Sequence, residues 1–66
     1  MIISKRELTS VQVYLRSILQ AAKSDDYEYL AHIVSLIEDD LDLHRAGKAL
    51  LYSVIDYFVK YHDHED

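Results

Sequence analysis

The apolar residues in the first third of the chain recur every three or four positions. They are Leu8, Val11, Leu15, Ile18, Leu19 and Ala22. This spacing places all six on one narrow face of an α-helix. Ser4 precedes this run and Glu7 follows three residues later, which is the pattern of a capping box. The pattern therefore predicts a helix from about residue 5 to residue 23.

Two more helical segments follow, and acidic residues mark where each begins. The second is predicted over about residues 26–40, with Asp25 and Asp26 at its N-terminus, and the third over about 43–61, with Asp42 as its expected cap. Alternation of apolar and polar residues never persists, so no strand is predicted. We expect an all-α, three-helix bundle forming one domain over residues 1–61. A continuous helix across residues 40–43 would instead give a two-helix hairpin that pairs into a four-helix dimer.

The second and third segments carry more apolar surface than the first can cover. The second has two apolar stripes, and the third is apolar over about half of its circumference. Uncovered patches of this kind usually mark interfaces, and a symmetric homodimer is the commonest way to cover them. We expect the interface to be formed by Tyr29, Leu36, Leu43, Leu51, Ile55 and Phe58.

The amino-acid composition excludes several classes of protein. The chain has 66 residues, a formal charge of −5, one glycine, no proline and no cysteine. The absence of cysteine excludes a disulfide scaffold and a thiolate zinc site. No apolar run reaches the length of a membrane span, and the first residues do not have the order of a signal peptide. We therefore expect a cytoplasmic protein without contact to a membrane.

The charges are strongly segregated along the chain. Residues 1–24 carry four bases and one acid, whereas residues 25–43 carry seven acids and no base. Four of these acids lie close together and could imitate a run of phosphates in the basic groove of another protein: Glu38, Asp39, Asp40 and Asp42. A second alternative is a dimeric DNA-binding regulator that uses Arg45 and Lys48. The neighbouring acids and the net negative charge make nucleic acid an unfavourable partner.

No constellation of catalytic residues is visible. The single Gly47 excludes a glycine-rich phosphate loop, and no nucleophile stands in a recognisable triad. We expect neither an enzyme nor a bound cofactor. Residues 62–66 contain two histidines and three acids, but we expect them to form a frayed tail without a metal site. His32 after Glu28, and His44 after Asp40, have the spacing of ordinary surface pairs.

Two short stretches carry a loose resemblance to a known family. Residues 33–38 (IVSLIE) and the end of the third segment at residues 59–61 (VKY) are similar to the YmgB/AriR-type regulators of biofilm formation and acid resistance in enterobacteria. The similarity covers about half of the chain. It implies a helical dimer with a regulatory role. Independently of this resemblance, the apolar excess predicts a small, acidic, non-enzymatic protein that self-associates and binds or modulates another protein.

Overall fold

Three α-helices make up almost all of the chain that the structure describes. The computed structural model describes residues 4–62, with α1 over Lys5–Ser24, α2 over Tyr27–Asp39 and α3 over Arg45–His62. The prediction of an all-α, three-helix architecture is confirmed. α2 and α3 are separate helices, so the hairpin alternative is wrong. The predicted tail lies outside the described residues from residue 63 onward.

Short polar side chains fix the first two helix starts and the turn between them. The Ser4 Oγ accepts a hydrogen bond from the Glu7 N–H at 3.1 Å, and Asp26 Oδ1 accepts one from the Tyr29 N–H at 3.0 Å. Asp25 ends α1 in the left-handed region, with φ of 53°. The Asp26 N–H then donates to the Ala21 carbonyl at 3.0 Å, which closes the last turn of α1.

The start of α3 differs from the prediction. Asp42 is not its cap, because α3 begins three residues later, at Arg45. The cap comes from α1: Glu7 Oε2 accepts hydrogen bonds from the N–H groups of His44 at 2.7 Å and Gly47 at 3.2 Å. Glu7 therefore does not turn back to Ser4 as a capping box requires. A carboxylate is favourable there because the N–H groups of a helix start are unpaired and carry partial positive charge.

α1 is the central element, because it packs against both other helices. Tyr14 reaches the end of α2 and Glu7 reaches the start of α3, so α2 runs antiparallel to α1 and α3 runs parallel to it. The shared core consists of Val11, Ile18, Ala21, Leu30, Ile33, Ile37, Leu43 and Leu51. Leu41 lies in the α2–α3 linker and is 93% exposed.

The length and apolar character of each helix decide whether it could span a membrane. Within residues 4–62, none of the three combines sufficient length with sufficient apolar character to cross a bilayer.

Candidate interaction surfaces

The six residues predicted to form the interface do not form one patch. Leu43 and Leu51 are core residues, so the expectation that they lie on an exposed surface is wrong. Ile55 and Phe58 are half-buried against the core, and Phe58 stacks on the ring of Tyr27 at 5.9 Å. The remaining two, Tyr29 and Leu36, are 37% and 46% exposed. The single chain thus covers most of the apolar surface that α3 was expected to leave free.

A larger apolar surface lies on another side of the molecule, between α1 and α3. We call it the α1–α3 face, and its residues are Leu8, Leu15, Leu19, Leu50, Tyr57 and Tyr61. Leu19 and Tyr57 are 60% and 64% exposed, although both are large apolar side chains. They border an open groove of about 430 Å³ whose floor includes Ile18, Ala22 and Val54. The rings of Tyr57 and Tyr61 lie 4.4 Å apart beside it.

The same spacing appears on both helices of this face. Leu8, Leu15 and Leu19 are separated by seven and four residues, and so are Leu50, Tyr57 and Tyr61. These intervals keep each trio on one side of its helix. Because α1 and α3 run parallel, the two trios form two neighbouring apolar rows. This repeated spacing is the sequence signal that could have revealed the face.

Charge divides the molecule into two sides. Every Lys and Arg lies on α1 or α3, and Lys5, Arg16 and Lys23 follow one exposed edge of α1. The acids between residues 25 and 42 lie on α2, in the turn before it and in the linker after it. The α1–α3 face therefore has a cationic border, whereas Tyr29 and Leu36 lie on the acidic helix.

The four acids proposed as a phosphate mimic have different roles. Asp40 Oδ2 accepts a hydrogen bond from the Tyr14 hydroxyl at 2.6 Å, and its Oδ1 accepts one from the Asp42 N–H at 2.8 Å. Asp42 lies 3.9 Å from Arg6. Asp40 therefore holds the linker against α1, whereas the exposed Asp42–Arg6 pair contributes little. Glu38 and Asp39 are exposed near the end of α2, so the four do not form one equivalent row.

The Tyr14–Asp40 contact shifts the ionisation of both groups. Burial raises the pKa of Tyr14 to about 12, and the hydrogen bond to the Asp40 carboxylate adds to this shift. The same hydrogen bond, followed by that from the Asp42 N–H, lowers the pKa of Asp40. The Asp40 contribution to stability is therefore present above about pH 4 and lost as the pH falls through its folded pKa. The Tyr14 contribution is present below its unfolded pKa of 10.0 and lost as the pH rises through about 12.

Changing Tyr14 to Phe should reduce the shift in the pKa of Asp40 without creating a cavity. We expect the pKa of Asp40 to return towards its ordinary range, and the free energy of unfolding at neutral pH to fall by about 1 kcal/mol through the lost hydrogen bond. Carbon-13 NMR titration of the Asp40 carboxyl measures the first effect, and urea denaturation measures the second. Tyr29→Phe is the matched control. An Asp40 pKa that is the same in Tyr14→Phe and in the parent would contradict this assignment.

The residues proposed for DNA recognition are not arranged as a free basic pair. Lys48 Nζ donates a hydrogen bond to the Glu38 carbonyl at the end of α2, at 3.1 Å, while Arg45 is exposed. Both line a shallow groove of about 440 Å³ together with Leu43, His44, Ala49 and Tyr52. No group of three metal-ligating side chains occurs among the described residues.

Comparison of the chain with protein-family models, with curated proteins and with solved structures finds no match. The similarity to the YmgB/AriR-type regulators therefore stays a prediction from two short stretches. Any function has to be argued from the surfaces of this chain.

Proposed function

We propose that this chain is a non-enzymatic cytoplasmic interaction protein, two copies of which pair through the α1–α3 face to form a unit that modulates another protein. The observation that carries the proposal is the α1–α3 face itself. Leu19, Tyr57 and Tyr61 keep more than half of their surface in solvent, and they line a groove that the single chain does not fill. Apolar groups clustered in this way favour association.

The size of the face suits a second copy of the chain. α1 has 20 residues and so is about 30 Å long, and two adjacent helices are about 20 Å wide. Each copy would then contribute roughly 600 Å², and a pair would bury about 1,200 Å², the lower end of the range for stable interfaces. Tyrosine is enriched at such interfaces because it buries a ring while its hydroxyl stays hydrated.

Electrostatics permits this pairing but does not drive it. Lys5, Arg16 and Lys23 line the edge of the face and not its centre, so they would remain at the hydrated rim of a dimer. Exposed charges at a rim interact by less than about 1 kcal/mol per pair. The apolar centre therefore has to supply the affinity.

Introducing a charge at the centre of the face should abolish the pairing. We expect Leu19→Asp to weaken dimerisation at least about a hundredfold, because it replaces an apolar contact by a carboxylate that loses its hydration in the interface, and each 1.4 kcal/mol is a factor of ten. Sedimentation velocity measures the mass, and circular dichroism checks that the helices remain.

The matched control for this variant is Leu41→Asp, which makes the same change at an exposed leucine of the α2–α3 linker. It should leave the dimer intact. A dimer that is equally stable in Leu19→Asp and in Leu41→Asp would overturn the choice of face.

A further inference from the structure

We infer that a second docking surface lies on α2, centred on Tyr29 and Leu36, and that it fits a basic amphipathic helix of another protein. We call it the α2 surface. It is separate from the α1–α3 face, whose groove no residue of α2 lines. The inference does not depend on whether two copies pair.

The apolar part of the α2 surface has the spacing that a helix recognises. Tyr29 and Leu36 are seven residues apart on α2, so they lie on the same side of it, about 10 Å from each other along the axis. The Tyr14 hydroxyl lies 3.5 Å from the Leu36 carbonyl, which places this side of α2 next to α1. A partner helix with apolar residues at intervals of three, four and seven could contact both side chains.

The charges around Tyr29 and Leu36 determine which charge a partner helix should carry. Glu28 lies beside Tyr29, and Asp39 lies one turn beyond Leu36, both exposed. His32 is the other titratable side chain between them on α2, and residues 24–44 contain no Lys or Arg. From α1, Tyr14 faces this side of α2 and is bound to Asp40. Two cations lie near the C-terminal end of this helix: Lys48 of α3, whose Nζ donates to the Glu38 carbonyl, and Arg6 of α1, which lies beside Asp42 in the linker. Lysine or arginine on the flanks of a partner helix would therefore be attracted, and acidic flanks repelled.

A second copy of the chain is the rival occupant. Its α1 edge is cationic and its α1–α3 face is apolar, so it could in principle contact the α2 surface of the first copy. Such a contact joins two different surfaces, so repeating it from copy to copy forms a ring or an open chain of copies. It would produce masses that grow beyond a dimer, which distinguishes it from binding of a separate helix.

Two synthetic peptides test the inference directly. The first is a labelled 18-residue amphipathic helix with leucines at helical spacing and lysines on both flanks, and the second has glutamate in place of each lysine. Fluorescence anisotropy should show that the full chain binds the lysine peptide at least about ten times more tightly than the glutamate peptide, a difference of about 1.4 kcal/mol.

Three variants locate the site of binding. We expect Leu36→Ser to weaken binding of the lysine peptide about tenfold, which is about 1.4 kcal/mol, since it removes an apolar anchor without adding charge. The matched control Leu41→Ser should bind like the parent. The double variant Glu28→Gln with Asp39→Asn should weaken binding and reduce its dependence on salt, because fewer charges then attract the peptide.

The outcomes separate this inference from the proposed function. Equal binding of the two peptides, or equal binding to Leu36→Ser and Leu41→Ser, would overturn the α2 surface as a docking site. A mass beyond a dimer that decreases in Leu36→Ser would overturn the choice of occupant in favour of a second copy. If the parent chain is a monomer but binds the lysine peptide through Leu36, only the proposed dimer fails.

Discussion

Changing Glu7 to Ala is expected to lower the free energy of unfolding by about 2–4 kcal/mol, because two N–H groups at the start of α3 lose their acceptor. Glu7 is only 2% exposed, so water cannot replace its carboxylate without opening the packing between α1 and α3. For a chain of 66 residues, typical stabilities imply a total of about 3–10 kcal/mol. A single carboxylate would therefore account for a large part of it.

Chemical denaturation followed by circular dichroism measures this effect. Glu7→Gln keeps an oxygen acceptor but loses the charge. We therefore expect its free energy of unfolding to lie between that of the parent and that of Glu7→Ala. Glu28→Ala is the matched control, since Glu28 lies in the first turn of α2 but is exposed. It should cost less than about 1 kcal/mol. Equal losses in Glu7→Ala and Glu28→Ala would contradict the assignment of Glu7 as the cap of α3.

Changing Gly47 to Ala is expected to destabilise the protein by about 1–3 kcal/mol, because a methyl group would be forced into a packed contact. Glycine inside a helix ordinarily costs about 1 kcal/mol relative to alanine, so the usual expectation has the opposite sign. Here a Cβ atom would lie 2.5 Å from Glu7 Oε2 and 3.2 Å from Leu43 Cδ2. The carboxylate cannot move aside without losing the hydrogen bonds that hold it.

A double-mutant cycle with Glu7 tests this explanation. If the clash with the carboxylate is the cause, Gly47→Ala should cost clearly less in a Glu7→Ala background, and the two effects should not add. Ser53→Ala, at an exposed position of α3, is the control and should be neutral or slightly stabilising. A Gly47→Ala variant more stable than the parent would show that α1 and α3 are not in close contact at this point.

The sequence predicts local features of this fold well and tertiary ones poorly. Ser4 caps α1 as expected, and Asp26 caps α2, which begins one residue later than predicted; both are local, because a cap depends on residues three positions apart. The role of Glu7 could not be read from its neighbours, since its hydrogen-bond partners are 37 and 40 residues away. Glu7 matches a capping box locally, but its carboxylate accepts hydrogen bonds from the distant start of α3 and not from Ser4.

The predicted interface illustrates the same limit. Periodicity assigns Tyr29, Leu36 and Leu51 to apolar stripes, but it does not say how each helix is rotated about its axis in the bundle. Close contact at Gly47 brings α3 onto α1, which buries Leu51 and leaves Tyr57 exposed. Leu36 stays exposed because its side of α2 lies at the edge of the contact with α1. A stripe becomes core or surface only when the packing of its neighbours is known.

The most direct test of the central claim is the solution mass of the parent chain, measured by light scattering from micromolar to millimolar concentration. Association through the α1–α3 face predicts a mass that rises with concentration and levels off at twice the chain mass of 7.7 kDa. A mass of 7.7 kDa throughout this range would contradict the claim that the exposed apolar rows of α1 and α3 join two copies.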